Sequence, residues 1–181
     1  MASSQMTAPA LLALRDGKLA GNWVLDGSRS EVRLRSKSMW GMVKVNGVFR
    51  QVRGQGAITP AGDVTGTITV DAGSIDTKNK KRDDHLRSAD FFEAGTYPHI
   101  TFTVDRVAPS GQGVSVVGSL TIRGQARPLT FGGIVSSFDG DEVWLDGEVT
   151  VNRADFGLTW NQMGMASMDN TITVHAAFTR K

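Results

Sequence analysis

Tyr97-Pro98-His99-Ile100-Thr101-Phe102-Thr103-Val104 is the stretch on which the fold turns. Beyond Pro98, the apolar Ile100, Phe102 and Val104 alternate with polar neighbours, a period of two that sets one face of a strand in an apolar interior and the other in water. The same alternation extends outward along the chain. Val32-Arg33-Leu34-Arg35 shows it upstream and Thr171-Ile172-Thr173-Val174-His175 downstream, while Val114-Val116-Gly118-Leu120-Ile122 and Val143-Leu145-Gly147-Val149-Val151 form longer rows. From Trp23 onward these segments follow one another at short intervals, separated by Gly, Asp, Asn or Pro. The pattern specifies an all-β domain of about eight antiparallel strands, and a closed barrel of that size either fills itself with side chains or holds one small ligand. Inward apolar rows satisfy both arrangements, so periodicity leaves that choice open.

Two details complicate the rows. Gly66, Gly118 and Gly147 fall at inward positions, where a missing side chain either lets a strongly curved strand bend or leaves room beside it. Residues 79–92 break the strand pattern altogether, with charged residues leading into Leu86, Phe91 and Phe92 at helical spacing. One or two helical turns are expected there, packing the aromatic pair against a barrel end. Ahead of the strands, Thr7 as N-cap, Pro9 in the first turn and Gly17 as a stop predict a short helix carrying Leu11, Leu12 and Leu14. The domain reading is therefore 1–20 as a leader or short helix and 21–181 as the barrel. The three leucines either belong to a loose leader, cover an apolar patch or barrel end, or offer a surface for a homodimer.

Composition narrows the function classes. The chain has 181 residues, 40% of them hydrophobic and 21% charged, which suits one globular domain with a sizeable core. Its net charge of +2 is spread among acids and bases, without the concentrated basic stripe that a phosphate backbone requires, so nucleic acid is not an expected partner. There is no cysteine, hence neither disulfide nor thiolate metal site. Residues 1–7 carry no charged side chain, and the apolar run beginning at Ala10 is interrupted by Arg15-Asp16. Neither a signal peptide nor a membrane span is read from this, and cytoplasmic residence is the expectation.

The inventory for catalysis is thin. His85, His99 and His175 lack metal-motif spacing, so no metal and no cofactor is expected. Ser88 lies near His85 and Asp84 in sequence, but no nucleophile elbow accompanies them. Within Arg82-Asp83-Asp84-His85-Leu86-Arg87-Ser88 the choice is between a head-group site and anchors that tie down a long connection; the second is favoured because loops of this length need their backbone groups satisfied. Asp76 and Thr77 are suited to start a turn. Five of the seven methionines fall in Met39-Trp40-Gly41-Met42 and in residues 160–168. Soft, adaptable side chains beside Trp40 and Trp160 suit either a ligand portal or mutual loop packing.

Linked motifs in order along about 155 residues resemble the YceI-like family. They comprise Trp23-Val24-Leu25-Asp26, Val45-Asn46-Gly47-Val48-Phe49, the run from Ser74-Ile75-Asp76-Thr77 to Phe91-Phe92, Gly118-Ser119-Leu120-Thr121-Ile122-Arg123-Gly124, and Asn152-Arg153-Ala154-Asp155-Phe156-Gly157-Leu158. The resemblance implies a lipocalin-like barrel that carries polyisoprenoid or other long lipids; many members are exported. One departure concerns Lys37-Ser38-Met39-Trp40, where many members have histidine after the lysine.

Under that implication the barrel binds, stores or transports a polyisoprenoid, isoprenoid quinone or fatty-acid-like molecule without acting on it. The inward Leu34, Phe49, Ile68, Phe102, Leu120, Phe131, Leu145 and Val174 are the expected lining. Met39, Trp40, Met42, Trp160, Met163 and Met165 are the candidate contacts in the loops. Two rivals stay open: an enzyme acting on such a lipid, and an interaction module whose barrel is filled by its own side chains.

Overall fold

The computed structural model describes residues 2–181, with side chains from Thr7 onward. Helix α1 (Ala2–Arg15) precedes β1 (Gly21–Leu25), β2 (Glu31–Ser38), β3 (Val43–Phe49), β4 (Val52–Ile58), β5 (Val64–Asp71) and β6 (Ile75–Asp76). Helix α2 (Lys80–Arg87) follows, and then β7 (His99–Ser110), β8 (Gly113–Ile122), β9 (Gln125–Asp139), β10 (Glu142–Asn152) and β11 (Asp169–Arg180). The strands pair antiparallel in the order β1-β4-β5-β7-β8-β9-β10-β11, and β11 returns to β1, closing an eight-stranded barrel.

The three strands beyond eight are each a broken half. Strand β11 pairs β1 through Phe178 to Arg180 and β2 through Thr171 to His175, so β1 and β2 occupy one barrel position in two pieces. In the same way β3 pairs β2 while β4 pairs β1, and β6 pairs β3 while β5 pairs β4. Local side-chain bonds make the breaks. Asp26 accepts from the Ser28 backbone N–H at 3.0 Å and from Arg29 Nε at 2.8 Å, which turns the chain between β1 and β2. Ser74 Oγ donates to the Asp71 carbonyl at 2.6 Å and holds the corner between β5 and β6.

The inward rows face the lumen as the alternation requires. Along β8, Val114, Val116, Leu120 and Ile122 are all buried. Gly118 continues this row, and a Cβ there would lie 1.9 Å from the Thr103 carbonyl oxygen, beside the register shift between Val104 and Arg106. Here the glycine serves curvature. Gly147 serves space instead, because its Cβ would meet the Phe131 ring at 2.7 Å. Since the obstacle at Gly118 is backbone, Gly118→Ala is expected to cost about 1–3 kcal/mol in urea unfolding. A stability equal to the parent would show that the bend does not depend on this residue.

Both barrel ends are covered. Helix α1 lies along β9, with Ala10 and Ala13 buried and Leu11 and Leu14 turned to the interior, whereas Leu12 stays exposed. The expected start of this helix is corrected: Thr7 is not its N-cap, because the helix begins at Ala2 and Pro9 lies inside it. Instead Thr7 is buried, and its Oγ1 accepts from the Val135 N–H at 3.1 Å. The register of β8 on β9 ends at Gly133, and beyond it the Val135 N–H takes a side-chain partner instead of a strand. Among the described residues no helix is long and apolar enough to cross a membrane.

At the opposite end, α2 and residues 88–98 pack over the gap between β6 and β7. Asn79 caps α2 by accepting from the Arg82 N–H at 3.0 Å. The buried Asp83 accepts from the Thr77 N–H at 2.9 Å and from its hydroxyl at 2.5 Å, while Arg82 Nη2 donates to the Thr77 carbonyl at 2.8 Å. Arg87 reaches back to the carbonyls of Gly73 and Ile75 at 2.8 and 3.1 Å. The charged run thus anchors the connection, and Phe92 packs edge-on against Phe49.

Candidate functional site

The barrel is hollow in two places. Beneath α2 an apolar cavity of about 300 Å³ has walls that include Leu34, Phe102, Leu120, Val149 and Ile172. A second space of about 170 Å³ lies toward α1, with Leu11, Leu14, Val116 and Leu145 among its walls. Ile68 and Phe131 line both, so the two lobes meet at these residues. The larger lobe falls at the lower end of volumes usual for small-molecule sites.

The charged residues of the lining all belong to the larger lobe. Lys37, Arg82, His85, Glu148, Arg153 and Asn170 border it. His85 Nε2 lies 2.9 Å from Asp90, and the imidazole meets the Trp160 and Phe91 rings edge-on. Ser88 does not pair with this ring; its hydroxyl donates to the His85 carbonyl at 2.5 Å. The other two histidines stand elsewhere on the surface, His99 beside Asp71 and His175 hydrogen-bonded to Asp146.

Arg153 differs from the other charged residues of this rim. It is only 7% exposed. Its Nε donates to the Ser167 carbonyl at 3.0 Å and its Nη1 to the Leu158 carbonyl at 2.7 Å, with the guanidinium carbon 5.4 Å from the Phe91 ring centre. Nη2 is buried and has no hydrogen-bond partner. Burial pushes the pKa of this guanidinium down, since desolvation disfavours the charged form.

Of the residues expected from the pattern, Leu34, Phe49, Ile68, Phe102, Leu120, Phe131, Val174 and Trp160 border the larger lobe, and Leu145 the smaller. The other loop residues stand outside both linings. Met39, Trp40, Met42 and Met163 are exposed, and the Met165 carbonyl accepts from the Trp40 N–H at 3.3 Å, which joins the two loops at the rim. Met39, Trp40 and Met163 take left-handed backbone angles, with φ of 51°, 53° and 56°. Ser38 borders the cavity. Sequence reasoning missed Arg153 as a site residue, although it lies in a motif already singled out. The only signal was an arginine directly after an apolar inward row.

The model of the YceI-like domain matches residues 23–179. The chain belongs to the YceI-like family. A UPF0312 protein of Staphylococcus aureus (strain MSSA476) is 35% identical over 151 residues, covering 78% of this chain and 84% of that protein. Another, from Pectobacterium atrosepticum, is 30% identical over 175 residues and covers 91% and 89%. Among solved structures, Burkholderia cenocepacia BcnA superposes with a TM-score of 0.76 at 28% identity, over 84% of this chain and 98% of that one. A polyisoprenoid binding domain from Saccharophagus degradans superposes at 0.71 and 18% identity, over 88% and 98%; at that identity the likeness is one of fold. The YceI-like fold therefore spans the barrel as described.

Proposed function

We propose that this YceI-like protein binds and carries a long apolar lipid, a polyisoprenoid, isoprenoid quinone or fatty-acid-like molecule, and performs no chemistry on it. The single observation that carries the reading is the two-lobed apolar lumen, whose lobes share Ile68 and Phe131 in their walls. A tail entering at the α2 end gains about 0.8 kcal/mol for each CH2-sized group buried, so a few isoprene units outweigh the roughly 0.5–1.5 kcal/mol of one neutral hydrogen bond. Swinging the Phe131 ring aside would let the same tail reach the second lobe. The polyisoprenoid named for the Saccharophagus degradans domain fits these dimensions of chemistry. Against an enzymatic reading stands the hydroxyl of Ser88, which is committed to a carbonyl and not to an imidazole.

Met39, Trp40, Met42, Met163 and Met165 have the portal role in this proposal. They stand outside the walls of both lobes, and their apolar surface would give an incoming tail its first contact outside water. Trp40→Ser is expected to slow lipid uptake several-fold while leaving the equilibrium affinity within about a factor of three, since the residue lies beyond the bound tail. Stopped-flow fluorescence with a prenyl lipid checks it, and an unchanged association rate would remove Trp40 from the entry route.

The carrier reading is tested by native mass spectrometry of the protein purified under mild conditions. A copurifying lipid is expected, together with a rise in Tm on addition of prenyl lipids. Repeated ligand-free spectra with no thermal shift would count against it.

A further inference from the structure

We propose that the larger lobe is built for an amphiphile with an acidic oxygen head group, a carboxylate or a phosphate, held by Arg153 Nη2 while its tail runs inward to Ile68 and Phe131. The inference rests on the carrier reading and specifies which end of the lipid is recognised. Its starting point is a buried donor. Leaving a polar group of a charged side chain unpaired in the interior is costly, and native structures rarely do so without a functional reason. Nη2 of Arg153 is such a group, and Arg153 itself borders the apolar cavity.

The guanidinium has donors and no acceptor lone pair, so what satisfies Nη2 must be an acceptor atom. A hydrocarbon tail has none. The head group therefore belongs at this end, where the remaining two nitrogens are already fixed by the Ser167 and Leu158 carbonyls and hold the fork in place. Its orientation is thereby settled before the ligand arrives, which lowers the cost of ordering it.

Charge favours an acid over a neutral acceptor. The cations bordering the lobe are Lys37, Arg82 and Arg153, while Glu148 is the one carboxylate among the described lining residues. That carboxylate is engaged by Arg35 Nη2 at 3.3 Å. Inside a wall of low polarizability the attraction between Arg153 and an anionic oxygen is stronger than the same contact in water. The Phe91 ring under the guanidinium keeps water from one face of it.

The test is a set of ligands with one tail and different heads: palmitate, hexadecyl phosphate and hexadecanol, titrated below their aggregation limits by calorimetry. Palmitate or hexadecyl phosphate should bind the unmodified protein at least tenfold more tightly than hexadecanol, as expected for a charge-assisted hydrogen bond. Comparing the two acids distinguishes a carboxylate source from a phosphate source, and a preference for either supports the proposal. Equal affinity for all three ligands, as when water alone serves Nη2, overturns the head-group assignment and leaves the carrier reading standing. Failure of all three to bind, with no thermal response to prenyl lipids, removes the carrier reading itself. Arg153→Met should abolish the acid preference, whereas Arg153→Lys should keep part of it. An acid preference that survives in a folded Arg153→Met protein would assign the head group to another residue. Because Arg153 also ties two carbonyls, the series on the unmodified protein decides the question even where the methionine variant does not fold.

Discussion

Val149→Trp should abolish most lipid binding while leaving the protein as stable as before. Val149 and Ile172 are register partners on β10 and β11, and both face the larger lobe. An indole placed there projects into open volume. If it displaces room for about four CH2 groups, the loss is about 3 kcal/mol, roughly a hundredfold in Kd. In a close-packed core the same enlargement would strain its neighbours and cost about 1–3 kcal/mol of stability. The variant thus separates a carrier from a filled barrel through two readings on one sample. Binding by calorimetry should fall, and Tm should hold or rise. A markedly lowered Tm with unchanged binding would mean that the lipid sits elsewhere and that the lobe is filled in solution.

The second large effect concerns the lid over that lobe. Asp83 is buried and accepts both the N–H and the hydroxyl of Thr77, which is itself buried. Asp83→Ala leaves both donors without their partner, at about 1–3 kcal/mol for each group stranded in the interior. A total of about 2–6 kcal/mol corresponds to a fall of roughly 4–24 °C in Tm for a domain of this size. Asp83→Asn retains a carbonyl oxygen that accepts the same two bonds and should lose much less. Since α2 supplies Arg82, His85 and Leu86 to the cavity rim, Asp83→Ala should weaken lipid binding as well, although the side chain is not part of the lining. Thermal unfolding of the three proteins checks the order. Equal Tm values for the parent and the alanine variant would show that the Thr77 contact does not hold the lid.

Most of the barrel was legible because its governing signal is local. Two residues of period suffice to say which side of β8 faces inward, and Val114, Val116, Leu120 and Ile122 are buried accordingly. The expected helical turns within 79–92 also form, as Lys80–Arg87 capped by Asn79, while Phe91 and Phe92 follow in the turns beyond the helix end. The N-terminal helix was legible in kind but not in its start. Thr7 has the chemistry of a cap, yet the backbone group it satisfies belongs to Val135, more than a hundred residues along the chain.

The site divides along the same line. Inward apolar residues were recoverable, whereas Arg153 read as an ordinary charge in a closing loop. What makes it exceptional is the convergence of Phe91, Leu158 and Ser167 around its guanidinium, three contacts that no spacing rule connects. The methionine-rich loops carry the opposite lesson: composition marked them as adaptable apolar surface, and folding left Met39, Trp40, Met42 and Met163 exposed, outside the walls of both lobes.

By itself the amino-acid order determined an antiparallel barrel with an apolar interior, because alternation on each strand is fixed residue by residue. Only the tertiary structure decided that this interior is divided into two open lobes with a buried unpaired arginine nitrogen at one end. Empty volume and an unmet hydrogen bond are properties of many segments meeting in space, and they exist only once the barrel has closed.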